Sequence, residues 1–397
     1  MPLRSNTSIY STYNTQPRTI DLYVSIAFTQ APFNMRTPSL ITGVLLLSLL
    51  TFGQSCYHRE ASHDAPPFDP ADTIAANHAA RNTMAVVHRK IALDNVRVFD
   101  GKCFLQPQTV IIDGAFIGKD ASGAEHIDGK GQFLLPGLID THCHPASVDN
   151  LRQLASFGVT TASAQTTASV QTTAQTQPRA SLLNHTGLTD LHFTTYPAAA
   201  PNSPHALLPG FPTIGLISSP EQVSEYMETV VASGTDWVKL LAEDPGRPTL
   251  SQASLNALVI AAHGYGKFTV YHSTAYESTN MALDAGVDQI NHAPLDKPHD
   301  TMTIQKFLAN GIPSCPTLAM MQAVVDQNPT KNYSYAVASA SVKALYEAGV
   351  PILGGTDSFS GPAVPGRVPF GEGLHLELER LVQAGLSEVD ALRSVTS

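Results

Sequence analysis

LLPGLIDTHCHP, residues 134–145, is the stretch that decides the fold. After a Pro-Gly turn, a short apolar run of strand length ends on two histidines separated by one residue. Strand alternation puts His142 and His144 on the same side, so one element can offer two imidazoles to one ion. The plainer reading of such a pair is two strand histidines hydrogen-bonded inside a core. Asp140 and Pro145 suit a strand end that turns into a loop.

Further along, Lys239 in DWVKLL (236–241), His272 in FTVYHS (268–273), His292 in QINHAP (289–294) and Asp357 in ILGGTDS (352–358) each close an apolar, β-branched run. Residues in that position on a ring of parallel strands converge on one mouth, and imidazoles, a carboxylate and an amine converging there read as a divalent-metal site. Singly, His272 and His292 are more often interior histidines than ligands; beside His142 and His144 they weigh differently. Asp357 is either a helix N-cap or a carboxylate placed to take a proton from water at a metal. Lys239 is the odd member. A buried ammonium is costly and would repel divalent ions, so its side chain either faces outward or is uncharged.

Strand-length apolar runs at 135–142, 158–163, 190–196, 236–241, 267–272, 287–292, 312–317 and 350–356 alternate with helical patterns, clearest at 251–265, 275–285, 302–310, 336–348 and 373–384. Eight βα alternations in this span predict an α/β fold, a (β/α)8 TIM barrel. Ahead of it, residues 87–133 alternate apolar and polar with turn signals at Asp100-Gly101, Asp113-Gly114 and Asp128-Gly129, which predicts a small antiparallel β module. Two stretches fit less well. Residues 164–178 are rich in Gln, Thr and Ala where a barrel wants an amphipathic helix, and residues 197–220, with six prolines and His205, read as a long loop over the mouth.

The chain has 397 residues, 43% of them hydrophobic, enough to bury a large core. A formal charge of −10, with 23 scattered lysines and arginines, leaves no basic surface for a phosphate backbone and argues against nucleic-acid partners. Four cysteines are too few for a disulfide framework. Residues 1–34 read as a disordered leader. Residues 35–55 form a signal-peptide-like segment: Met35-Arg36, the apolar run 40–52, then Gly53-Gln54-Ser55. The run is shorter than the about 20 apolar residues of a bilayer span, so no stable membrane insertion is expected. Secretion from a start at Met35 is the expectation, with a membrane-anchored or cytoplasmic protein as alternatives. Sequons at Asn184 and Asn332 permit glycosylation on that route. Residues 56–86 read as a linker.

Together VRVFDG (96–101), LLPGLIDTHCHP, FGVTTA (157–162), DWVKLLAE (236–243), AGVDQINHAPLDKP (285–298), CPTL (315–318) and GGTDS (354–358) resemble the amidohydrolase superfamily, in particular its imidazolonepropionase/prolidase-like branch, from about residue 90 onward. The resemblance implies a β-sandwich beside a metal-loaded barrel, and hydrolysis of amide or related C–N bonds in a small-molecule amide or dipeptide-like substrate. It implies two divalent ions, zinc being the expectation. His142, His144 and Asp357 would hold the first and His272 and His292 the second, with Lys239 bridging them as a carbamate. The chemistry implied is attack by a metal-bridging hydroxide with Asp357 as general base. Tyr271 and His205 are weaker candidates for substrate contact; Tyr271, Asn291 and Thr356 sit beside ligands and could orient them. His185, His192, His263 and His375 read as surface or structural.

The layout expected is 87–133 as the N-terminal part of the sandwich and 134–397 as the barrel, with the sequence stopping where that branch returns to complete its sandwich. The sandwich is therefore expected to be incomplete. A truncated, non-catalytic metal-binding barrel and a mononuclear deaminase or cyclic-amide hydrolase are the alternatives. Against the deaminase, His272 is followed by Ser273, Thr274 and Ala275 rather than an acidic residue. Homo-oligomer formation is left open.

Overall fold

The computed structural model describes residues 89–165, 187–243, 246–359 and 366–396. The leader, the signal-like segment, the linker, His185 and most of the Gln/Thr-rich stretch lie outside the described residues.

Five strands come first: β1 (Lys90–Val98), β2 (Gln108–Asp113), β3 (Phe116–Gly118), β4 (Glu125–Asp128) and β5 (Phe133–Leu134). β1 to β3 form an antiparallel meander, but β4 and β5 both pair with β1 in parallel. The purely antiparallel module expected from alternation is therefore corrected to a mixed sheet. Turn residues mark where the chain reverses; they do not say which edge it joins next. Alternation does place Leu93, Val96, Val98, Val110 and Leu134 in one apolar cluster.

From Leu138 every strand pairing is parallel. One four-stranded sheet contains β6 (Leu138–His144), β7 (Val159–Ala164), β8 (Asp190–Phe193) and β13 (Ser358–Phe359), in the order β13-β6-β7-β8. The other has the order β12-β11-β10-β9, from β9 (Trp237–Leu241), β10 (Phe268–His272), β11 (Gln289–Asn291) and β12 (Ser314–Cys315). The helices are α1 (Val148–Ser156), α2 (Val223–Ala232), α3 (Gln252–Gly264), α4 (Tyr276–Ala285), α5 (Thr301–Asn310), α6 (Leu318–Gln327), α7 (Tyr335–Ala348), α8 (Glu372–Gln383) and α9 (Glu388–Arg393). The expected helices at 251–265, 275–285, 302–310, 336–348 and 373–384 correspond to α3, α4, α5, α7 and α8. The other four α-helices among the described residues lie outside the stretches where the sequence pattern is clearest.

The apolar run at 350–356 does not form a strand of its own. Ile352 makes a single bridge to Ser314, and the ladder strand begins only at Ser358. Gly354, Gly355 and the left-handed Asp357 interrupt the pleat. The segment still bonds on both sides: Leu353 N donates to Ser314 O (2.8 Å), Thr141 N to Gly354 O (3.1 Å) and Thr356 N to His142 O (2.9 Å). A Cβ at Gly355 would lie 2.6 Å from Cys315 Sγ and 2.8 Å from His142 N, so only glycine fits this crossing. At the opposite edges Asp236 N donates to Phe193 O (3.0 Å) and Ala198 N to Lys239 O (2.9 Å).

The largest apolar cluster lies between strands and helices. Val238, Leu240, Tyr271 and Ile290 meet Leu255, Leu258, Phe307 and Leu345 there. On β9 this directs Val238 and Leu240 to the helices and sends Lys239, between them, to the opposite face. Among the described residues no helix is long and apolar enough to cross a membrane, and Cys143 and Cys315 are free.

Candidate metal centre

His142 and His144 leave β6 on one side, as alternation requires, with their Nε2 atoms 3.2 Å apart. Asp357 arrives from the neighbouring segment: its Oδ1 lies 2.6 Å from His144 Nε2 and 3.3 Å from His142 Nε2, and its Oδ2 lies 4.0 Å from His292 Nδ1. One ligand atom from each of His142, His292 and Asp357 falls within 4.8 Å of the others. The His272 ring packs edge-on against His292 with centroids 4.4 Å apart, and His205 packs against His272 at 4.5 Å. Five imidazoles from four parts of the chain thus form one continuous group.

The backbone is bent to achieve this. His292 (φ 71°), Thr317 (φ 47°) and Asp357 (φ 54°) all lie in the left-handed region, at a cost of about 1–3 kcal/mol each. Surrounding contacts hold them there. His292 Nδ1 is 2.7 Å from Thr317 Oγ1; with that nitrogen donating, the Nε2 lone pair is left free. The Asp140 carboxylate accepts from Thr356 Oγ1 (2.7 Å), Thr356 N (3.1 Å) and His142 N (3.2 Å), which ties the base of β6 to the turn carrying Asp357. Glu377, buried on α8, accepts from Leu318 N (2.9 Å) and Ala319 N (2.7 Å), capping α6 directly after Thr317.

Burial governs the charges. It pushes His292 down to about 3 despite the opposing Asp357, and holds His142 and His272 well below the usual histidine range, with neighbouring cationic groups adding to the effect. Neutral imidazole is the ligating form. Burial alone would raise Asp357, but the hydrogen bond from His144 and the surrounding imidazoles and Lys239 outweigh it, keeping its pKa below the ordinary carboxylate value. Lys239, 2% exposed, is lowered to about 7 by burial, with Asp357 opposing, and its Nζ donates to Gln165 Oε1 at 2.8 Å. Its side chain faces inward, so the outward-facing reading of this lysine does not apply.

These residues fit a divalent ion. Nitrogen and oxygen donors 3.2–3.3 Å apart match neighbouring ligands on an ion with bonds of about 2.0–2.2 Å. His292 Nε2 and His142 Nδ1 are buried without a hydrogen-bond partner, a cost that coordination at the former would remove. The model of the Amidohydrolase family matches residues 133–397. The chain belongs to the amidohydrolase family.

An uncharacterized protein of Mycobacterium tuberculosis is 26% identical to this amidohydrolase over 272 residues, 64% of this chain and 71% of that protein. Among solved structures, a Xaa-Pro dipeptidase with bound methionine superposes with a TM-score of 0.62 at 18% identity, covering 77% of this chain and 86% of that one. Molinate hydrolase gives a TM-score of 0.62 at 18% identity, covering 78% and 84%. These likenesses bear on the fold, which is of the TIM-barrel-like α/β kind; family membership makes the chain a hydrolase.

Other histidines of this amidohydrolase stand apart from the ring cluster. His263 pairs with Asp288 (2.9 Å), His375 Nε2 lies 3.0 Å from Phe157 O, and His192 is 3.8 Å from Asp236. Tyr271 is not brought to the site: its ring joins the strand–helix apolar cluster on the face opposite His272. His205 does reach it, held by Glu243 Oε1 at 2.8 Å. Sequence reasoning missed Gln165, Thr317 and Glu377. Gln165 ends the apolar run of β7 just as the candidate ligands end theirs, and Glu377 lies on the apolar stripe of α8 between Leu374 and Leu381; both signals were available.

Proposed function

We propose that this amidohydrolase is a metal-dependent hydrolase of carbon–nitrogen bonds in small amide or dipeptide-like substrates, of the prolidase-like kind. The observation that carries the reading is the convergence of His142, His144, His292 and Asp357, with His292 Nε2 buried and unpartnered. The two parallel sheets are taken as arcs of one closed (β/α)8 barrel, supported by the backbone bonds at both pairs of edges. In this reading His142, His144 and Asp357 would hold one ion, His272 and His292 another, with Lys239, as a carbamate formed from its neutral amine, a ligand to both.

Divalent ions held there would act as Lewis acids on the scissile carbonyl and make water a nucleophile at neutral pH. The chain's own residues do the rest. Asp357, ionised by its depressed pKa, accepts the proton of the attacking water and passes it to the leaving nitrogen. His144 fixes the carboxylate through the 2.6 Å contact, and Asp140 with Thr356 fixes the turn beneath it. His205, clamped by Glu243, flanks the imidazole group from the 197–220 loop, where it can contact substrate.

Purified full-length protein is tested for metal content and for hydrolysis of a library of dipeptides and N-acyl amino acids. Two ions per chain with turnover are expected, and Asp357→Asn should lower kcat by about 10²- to 10⁴-fold while the His272–His292 side keeps its ion. Soluble protein that binds ions but cleaves nothing would instead favour a non-catalytic barrel.

A further inference from the structure

Among the described residues, Gln165 is the hydrogen-bond partner of the Lys239 amine, and it sits at a junction of three strands. Its Oε1 accepts from Lys239 Nζ on β9 (2.8 Å) and from Asn291 Nδ2 on β11 (2.5 Å), while its Nε2 donates to Thr141 O on β6 (2.9 Å). The side chain is fully buried. Its orientation is determined by its partners: a flipped amide would set NH2 against two donors and oxygen against a carbonyl. Asn291 is itself oriented by Gln289, whose Nε2 donates to Asn291 Oδ1 at 2.7 Å. The three strands joined here are those that carry His142 and His144, Lys239, and the approach to His292.

We infer that Gln165 is the positioning residue for the Lys239 carbamate, and this rests on the reading of Lys239 given above. A neutral amine has a lone pair and two N–H bonds, and Gln165 Oε1 takes one of those N–H groups. The lone pair attacks the carbon of carbon dioxide, a C–N bond forms, and one C–O π pair moves onto oxygen. The second N–H proton leaves to water, with no oxidant or reductant involved. The carbamate nitrogen is planar, as in any amide. With its remaining N–H held on Gln165, rotation about Cε–Nζ is fixed and the new oxygens lie on the side of the nitrogen away from Gln165. A carboxylate at position 165 would do the opposite: it would hold Lys239 as an ammonium with no lone pair to react.

The test uses full-length wild-type protein, Gln165→Met, Gln165→Glu and Lys239→Ala, each stripped of metal and then given zinc and 13C-labelled bicarbonate. Carbon-13 NMR reads the carbamate, elemental analysis counts zinc, and circular dichroism checks the fold. Wild type should show the carbamate resonance and two zinc ions, and Lys239→Ala no such resonance. Gln165→Met matches glutamine in length but lacks the acceptor. It should lose the resonance and the zinc affinity that depends on it by about 10- to 100-fold, the usual effect of removing a group that orients a ligand. Gln165→Glu keeps a hydrogen-bonding partner for Lys239 and Asn291, and should lose the resonance with its fold intact; it decides the matter if the methionine variant does not fold. Wild-type carbamate and zinc in either folded variant would overturn the role of Gln165 alone. A wild-type protein without the resonance would overturn the carbamate reading itself, and the role of Gln165 with it.

Discussion

At the scale of single residues, the proposed site depends on side chains whose hydrogen bonds choose which atom would face an ion. Thr317 illustrates this. Its hydroxyl engages His292 Nδ1 and leaves Nε2 to coordinate, so Thr317→Ala should weaken zinc binding by about 10- to 100-fold while Thr317→Ser restores it. Competition against a chelating dye reads this directly, and unchanged affinity in the alanine variant would remove Thr317 from the site. The candidate ligand positions were legible because each closes an apolar run with a residue that is expensive to bury. Thr317 was not, since its role depends on a left-handed turn that brings it to a histidine 25 positions earlier. Gln165 was hidden by its place at the edge of a Gln/Thr-rich stretch, where composition drew attention away from a single position.

At the scale of elements, two helices with a clear apolar stripe, α5 and α8, were legible from the pattern alone. Helix α6, LAMMQAVVDQ, was not, because its first turns are apolar on nearly all sides and its start follows the left-handed Thr317 instead of a regular capping residue. Glu377 supplies that cap from α8. Burial pushes its carboxyl up to about 8 from an ordinary 4.5, so between those values the folded chain holds a proton that the unfolded chain has released. The resulting stability is fully present below about 4.5 and is lost as the pH rises through about 8. Urea midpoints of wild type minus Glu377→Gln should therefore be larger at acid than at alkaline pH; a difference independent of pH would refute this. The crossing at Gly355 gives a second test. Gly355→Ala forces apart β6 and the segment carrying Asp357, and should cost about 1–3 kcal/mol in urea unfolding, with metal affinity falling too.

At the scale of the whole molecule, the proposed ions would cross-link both parallel sheets, since His142 and His144 belong to one, while His272 ends β10 and His292 directly follows β11 of the other. Binding that exists only in the folded state stabilises it by about 4 kcal/mol at a free ligand concentration a thousand times Kd. Chelation should accordingly lower Tm by several degrees, and zinc should restore it; a melting curve indifferent to both would mean that the imidazoles do not share ions across the sheets. His144 and Asp357, in contact at 2.6 Å, are 213 positions apart in the chain. A ribosome that has delivered every histidine of the group has still not delivered the carboxylate, so a nascent polypeptide can collect only an incomplete set of donors. Capture of the proposed ion at His142, His144 and Asp357 would thus be a late event of biosynthesis, and a chain released before position 357 would betray itself by weak, exchangeable metal.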